Sequence, residues 1–273
     1  MKDRYAVVGN PIAHSKSPII HQLFAEATGQ TISYEKILVE LGQFQQDVTE
    51  FFAQGGKGLN VTVPFKEDAF RFPDQLTARA QLAGAVNTLI KQEDGKIVGD
   101  TTDGTGLVGD LTQQDFALKG ARVLILGAGG AVRGILEPLL AEAPSSVVIA
   151  NRTISKAQQL AETFKDHGHI QARGFDQLKE LSFDTVINGT SASLAGELPP
   201  IPASVFAAGS KTGAYDMMYG KALTPFLCWA QENGVAKLAD GLGMLVGQAA
   251  ESFRLWRGVM PDTQPVISAL RDA

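Results

Sequence analysis

Apolar positions recur along this chain with two alternating periods. YAVVG at 5–9, ISYEKILV at 32–39 and GLNVTVPFK at 58–66 are short runs rich in β-branched and aromatic residues, and they predict strands. Between them, Phe44, Val48, Phe51 and Phe52 fall on one face of a helix over 44–54, which Gly55-Gly56 ends. Ser17 before Pro18 has the form of an N-cap with proline at the first helical position, so a helix is expected from there to about Gly29. LTARAQLAGAV at 76–86 reads as a helix. Asp94-Gly95 between two apolar runs reads as a hairpin turn, and TTDGTG opens a helix to about Gln114.

From Arg122 the alternation starts again. Strands are expected at 122–126, 147–150, 170–173 and 185–189, with helices at 130–142 and 154–166. The three prolines between Gly196 and Pro202 mark a loop. AYDMMY follows as a strand, TPFLCWAQENG as a helix closed by Gly234, and KLADG as a last strand. The helix over 243–256 and the tail PVISALRDA carry apolar faces that need cover, which packing onto the first half would supply.

This repeated strand–helix alternation predicts an α/β protein of two domains, an open mixed sheet followed by a doubly wound parallel sheet. We expect one domain from residues 1–102 with 242–273, and the other from 103–241. The 273 residues exceed the usual single-domain size. With 24 Lys and Arg against 29 Asp and Glu, the formal charge of −5 offers no basic field, so no nucleic-acid partner is expected. A lone Cys228 cannot close an internal disulfide, MKDRYAVVGN lacks a signal-peptide apolar core, and no apolar run reaches membrane-spanning length. The expectation is a cytoplasmic protein with no membrane partner.

Chemistry enters at VLILGAGGAV, 123–132, where an apolar strand runs into a turn holding Gly127, Gly129 and Gly130. Glycines let backbone approach a ligand closely, and the N–H groups of the following helix attract phosphate. At the end of the next strand, where an acid would read the ribose of NAD, stand Asn151, Arg152 and Thr153, with Lys156 a turn later. A guanidinium and a hydroxyl suit a 2′-phosphate, so the cofactor expected is NADP. Hydride transfer to a carbonyl also requires a proton donor. HExxH, CxxC and GxSxG spacings are absent, which leaves metal and serine-nucleophile chemistry without support. Lys66 at a strand end and Asp103 at the crossover form the remaining candidate pair, the carboxylate orienting the ammonium. Ser15 and Ser17, flanking a helix start, are placed either to cap it or to hold a carboxylate.

GNPIAHSKSP, NVTVPFK, GAVNT, TDG, GAGGA, NRT, DMMY with TPFL, and GMLVGQAA occur in that order, and together they resemble the shikimate dehydrogenase family over nearly the whole chain. The resemblance implies an NADP-dependent reduction of 3-dehydroshikimate to shikimate by a two-domain enzyme, Rossmann-like in its second domain, with the substrate in a cleft and a monomer or homodimer as the assembly. It implies that Ser15 and Ser17 hold the substrate carboxylate, that Thr62, Asn87, Asp103, Tyr219 and Gln248 hold its hydroxyls or ring, and that Lys66 is catalytic. It assigns the cofactor to Gly127, Ala128, Gly129, Gly130 and Ala131, to Asn151, Arg152, Thr153 and Lys156, and to Met217 and Gly241. Val132 departs from the Ser or Ala usual there. Three alternatives are a quinate/shikimate dehydrogenase of broader specificity, a non-catalytic NADP-binding regulator, expected to lose Lys66 or Asp103, and a folate-linked dehydrogenase, which gives the paired serines no purpose.

Overall fold

The computed structural model describes residues 2–209 and 211–272, and the chain divides into two compact units, one of residues up to 106 with those from 246 onward, the other 107–245. In chain order the first unit opens with β1 (Asp3–Gly9), α1 (Ser17–Ala27), β2 (Ile32–Leu38), α2 (Phe44–Ala53), β3 (Gly56–Val61), α3 (Lys66–Arg71), β4 (Gln75–Leu76), α4 (Ala78–Ala83), β5 (Thr88–Lys91), β6 (Ile97–Asp100) and the start of α5 (Asp103–Gln113). Its six-stranded sheet has the order β2-β1-β3-β5-β6-β4. Strands β2, β1 and β3 run parallel, β5 is antiparallel to both β3 and β6, and β4 pairs parallel with β6. Val8, Phe51, Leu59 and Leu89 lie in its core.

The second unit contains β7 (Arg122–Leu126), α6 (Gly130–Ala141), β8 (Ser146–Ala150), α7 (Ile154–Thr163), β9 (Ile170–Arg173), β10 (Thr185–Asn188), β11 (Gly213–Asp216), α8 (Pro225–Glu232) and β12 (Lys237–Asp240). Every pairing in its sheet is parallel, in the order β12-β11-β10-β7-β8-β9. Strands buried on both faces read as unbroken apolar runs, which is why RVLIL and SVVIA stood out in the sequence. Helix α9 (Leu242–Arg257) carries the chain back to the first unit, where α10 (Gln264–Asp272) packs near α1. The Trp256 indole there donates to Leu89 O at 3.1 Å, and Arg257 reaches Gln30 and Asp3.

Three local expectations need correction. The run 58–66 is not one strand: β3 stops at Val61, Phe65 N bonds back to Thr62 O, and Lys66 opens α3. Pro64 has no N–H to give a ladder, so the chain turns there. The segment 76–86 is a six-residue helix preceded by the two-residue β4; Thr77 Oγ1 caps it by accepting from Ala80 N, and Gly84 at φ 62 closes it. Ser17 is not the N-cap of α1. Lys16 holds that position with no side-chain cap bond, while Ser15 Oγ accepts the Ser17 N–H at 3.3 Å.

Candidate functional site

One edge of the first sheet collects the polar residues. The loop after β1 carries Ser15 and Ser17, that after β3 carries Thr62 and Lys66, and that after β6 leads into Asp103. Because β5 runs antiparallel to β3 and β6, Asn87, just before β5, lies at the same edge. Lys66 Nζ donates to Asp103 Oδ2 in an ion pair whose side chains are 21% and 10% exposed, enough shielding to strengthen it over a surface pair while leaving an approach for a ligand. Asn87 Nδ2 lies 2.9 Å from Asp103 Oδ1, 3.0 Å from Thr102 Oγ1 and 3.3 Å from Gln248 Oε1, and Asn87 Oδ1 accepts from Thr102 N at 2.9 Å. Lys66, Asn87, Asp103 and Gln248 therefore form one hydrogen-bonded group.

Behind the serines runs a polar chain that sequence reasoning missed. The buried Ser17 lies close to Tyr34, Tyr34 Oη donates to Asn60 Oδ1 at 2.7 Å, and Asn60 Nδ2 donates to Ser252 Oγ at 3.0 Å. Burial pushes the Tyr34 phenol well up from its ordinary value, so it stays a neutral donor. Tyr34 stands between Ser33 and Glu35 in β2, so no break in an apolar run marks it, and nothing in one sequence says which strand it will face. Thr62 is half-buried, its N–H is bonded to Val8 O, and among the described residues its hydroxyl makes no hydrogen bond to the Lys66 group.

In the second unit all strands are parallel, so the turns after β7, β8, β11 and β12 share the carboxyl edge, and β7 lies where the strand order reverses. Crevices at such a point hold nucleotides in doubly wound folds. Gly127 has φ 104, and a Cβ there would stand 3.0 Å from Gly189 O. Gly129 and Gly130 differ: a Cβ on either meets nothing within 4 Å, and Gly129 has an ordinary extended φ of −87. Neither packing nor backbone strain requires glycine at these two exposed positions, and the α6 N-terminus has no side-chain cap. Bare, uncapped N–H groups are what a pyrophosphate needs, so the residues present fit a dinucleotide.

Arg152 and Lys156 are exposed and have no ion-pair partner among the described residues, while Asn151 Nδ2 braces the loop by donating to Thr153 O at 2.9 Å. The departure at Val132 has a packing reason: the side chain is fully buried, and its Cγ2 occupies the space a Cβ on Gly189 would take. Gly241 N donates to Met218 O at 3.0 Å, and a Cβ on Gly241 would collide with the Met217 carbonyl. Tyr219, in the same loop as Met217, is 41% exposed, and burial of its inner part together with Asp240 raises its pKa. Asp216, fully buried at the end of β11, was also missed. Its carboxylate accepts from Asn188, Ser193, Thr224 and the Met218 N–H at 2.6 to 3.2 Å, which fixes the Met217 loop.

An all-parallel doubly wound unit with a glycine-rich first turn, in one chain with a unit bearing a shielded lysine–aspartate pair, defines a dinucleotide-dependent oxidoreductase. Residues 7–89 match the shikimate dehydrogenase substrate-binding domain, 110–195 the shikimate/quinate 5-dehydrogenase family and 241–271 the shikimate 5′-dehydrogenase C-terminal domain. The shikimate dehydrogenase (NADP(+)) of Cellvibrio japonicus is 59% identical over 99% of this chain and 98% of its own. Among solved structures, an Ael1 enzyme from Pseudomonas putida superposes with a TM-score of 0.93 at 50% identity, covering 98% of each chain. Shikimate 5-dehydrogenase from Thermus thermophilus, solved in complex with NADP(H) and shikimate, superposes at 0.86 with 34% identity over 99% of each. This chain belongs to the shikimate dehydrogenase family.

Proposed function

We propose that this chain catalyses the reversible NADP-dependent reduction of 3-dehydroshikimate to shikimate, with Lys66 moving the proton. The observation that carries this reading is the Lys66–Asp103 pair, joined through Asn87 to Gln248, in a chain whose relatives bear that activity in their names. When bound, NADPH supplies a hydride to the carbonyl carbon. As the carbonyl oxygen gathers charge, Lys66 Nζ gives it a proton, and in the reverse direction Nζ takes the proton from the hydroxyl. Asp103 Oδ2 holds Nζ in place and Asn87 holds Asp103. The hydroxyls of Ser15 and Ser17 receive the substrate carboxylate, while Thr62, Asn87, Tyr219 and Gln248 hold the ring hydroxyls.

In the second unit Gly127, Ala128, Gly129, Gly130 and Ala131 receive the pyrophosphate, and backbone at Met217 and Gly241 receives the nicotinamide. Asn151, Arg152, Thr153 and Lys156 receive the 2′-phosphate. One charge-assisted hydrogen bond contributes about 1.5 to 3 kcal/mol. Arg152→Ala should therefore raise the KM for NADP+ by about ten- to a hundredfold and leave that for NAD+ nearly unchanged. Equal losses with both cofactors would remove the phosphate from Arg152.

Initial rates with shikimate or quinate, each offered with NADP+ and NAD+ and followed through reduced-cofactor absorbance, test the whole reading. Shikimate with NADP+ is expected to dominate. Comparable rates with quinate would place the chain in the broader-specificity branch, and no rate with any pair would leave a binding protein.

A further inference from the structure

Arg79, on α4, has no part in the reading above, yet it touches each element that carries Asp103 and Gln248. Its Nε and Nη2 donate to the two oxygens of Asp100 at 2.7 Å each, Nη1 donates to Thr105 Oγ1 at 2.9 Å, and Nη2 also reaches Glu251 Oε1 at 3.1 Å. Asp100 ends β6 and is 1% exposed, and its Oδ1 further accepts from Thr101 N at 2.7 Å, so it fixes the turn that leads into Asp103. Thr105 sits in the first turn of α5, two residues beyond Asp103. Glu251, 4% exposed, stands three residues beyond Gln248 on α9, and Arg254 holds it from the other side at 2.7 and 2.8 Å.

We propose that Arg79 is a positioning residue for proton transfer, tying the end of β6 and the first turn of α5 to α9 so that Asp103 and Gln248 keep a fixed spacing. The inference rests on the roles given above to Lys66, Asp103 and Gln248. Burying two carboxylates and a guanidinium carries a desolvation cost that apolar packing would avoid. What the cluster supplies is direction. A planar guanidinium bonds along fixed lines, so the three elements it joins cannot slide independently, whereas a lysine ammonium is a point charge that leaves them free to do so. Misplacement by about 1 Å at a reacting group is enough to cost about a hundredfold in rate.

The test compares Arg79→Lys, which keeps the charge and loses the fork, with Glu251→Gln, which loosens α9 alone. Arg79→Lys should lower kcat about ten- to a hundredfold and shift the midpoint of the kcat–pH profile, while the NADP+ dissociation constant measured by calorimetry stays within about twofold. Glu251→Gln should raise the KM and the calorimetric dissociation constant for shikimate several-fold, with a smaller change in kcat. Wild-type kcat, KM and pH profile in both variants, with only the melting temperature lowered, would overturn the proposal and leave Arg79 a structural ion pair. Lys66→Ala is assayed alongside. Retained turnover there would bring down the site reading and this inference with it, whereas its loss together with unaltered kinetics in Arg79→Lys and Glu251→Gln would bring down the inference alone.

Discussion

Lys66→Ala should lower turnover by about a hundred- to ten-thousandfold, the range that removal of a positioned acid–base group usually costs. The expectation follows from how the side chain is held. Lys66 opens α3 just beyond the proline turn that ends β3, and its ammonium is paired with a carboxylate that Asn87 fixes on its other oxygen. The binding of NADP+ should change little, because the residues assigned to it all lie in the second unit. Asp103→Asn should weaken turnover less, since an amide still accepts a hydrogen bond but no longer holds an opposite charge beside Nζ. Steady-state kinetics with a calorimetric cofactor titration separate the two effects. Near-normal turnover in Lys66→Ala would remove the lysine from proton transfer.

Acid should destabilise the first unit through His21. The ring is fully buried, stacked on Tyr34 with centroids 4.3 Å apart, and close to Phe24, Phe253 and Trp256. Neither ring nitrogen has a hydrogen-bond partner among the described residues, and burial lowers its pKa from 6.5 to about 3, with the Asn60 side chain nearby offsetting this only in part. The unfolded chain therefore takes up a proton that the folded one refuses. The cost begins as pH falls below about 6.5 and grows until about 3, where the folded ring protonates as well. At 1.36 kcal/mol per pKa unit, the loss is on the order of 4 to 5 kcal/mol across that window. His21→Phe keeps the aromatic packing and removes the proton. It should flatten the fall in urea midpoint between pH 6.5 and 3 relative to the parent, as read from Trp256 fluorescence in a Trp229→Phe background. Parallel acid limbs in the two proteins would show that other groups dominate.

What the chain disclosed before its structure depends on how local each cause is. Strand β7 falls where the sequence places it, since an apolar run ending in a glycine turn leaves few alternatives. The pattern missed β4, because two residues are too few to show a period, and it extended β3 through Pro64, where chain direction is set by a turn bond from Phe65 to Thr62. Ser15 and Ser17 were legible as a pair at a helix start, but which of them meets a backbone N–H depends on the turn between them. Lys66 and Asp103 were legible as charges at element ends, and the structure brings them together. Arg79 and Asp216 were not. Each looks like an ordinary charged residue until elements far apart in sequence deliver its partners, Glu251 to the one and Asn188 to the other. Val132 reads as a misfit until Gly189 supplies the missing space.

On the proposed reading, the first unit selects the substrate and protonates it while the second holds NADP. The structure of this protein with NADP+ and shikimate both bound tests that most directly. The shikimate carboxylate should lie on the hydroxyls of Ser15 and Ser17, the hydroxyl to be oxidised on Lys66 Nζ and Asp103, and the 2′-phosphate on Arg152. A carboxylate bound away from the serines, or a reacting hydroxyl out of hydrogen-bonding reach of Lys66, would contradict it.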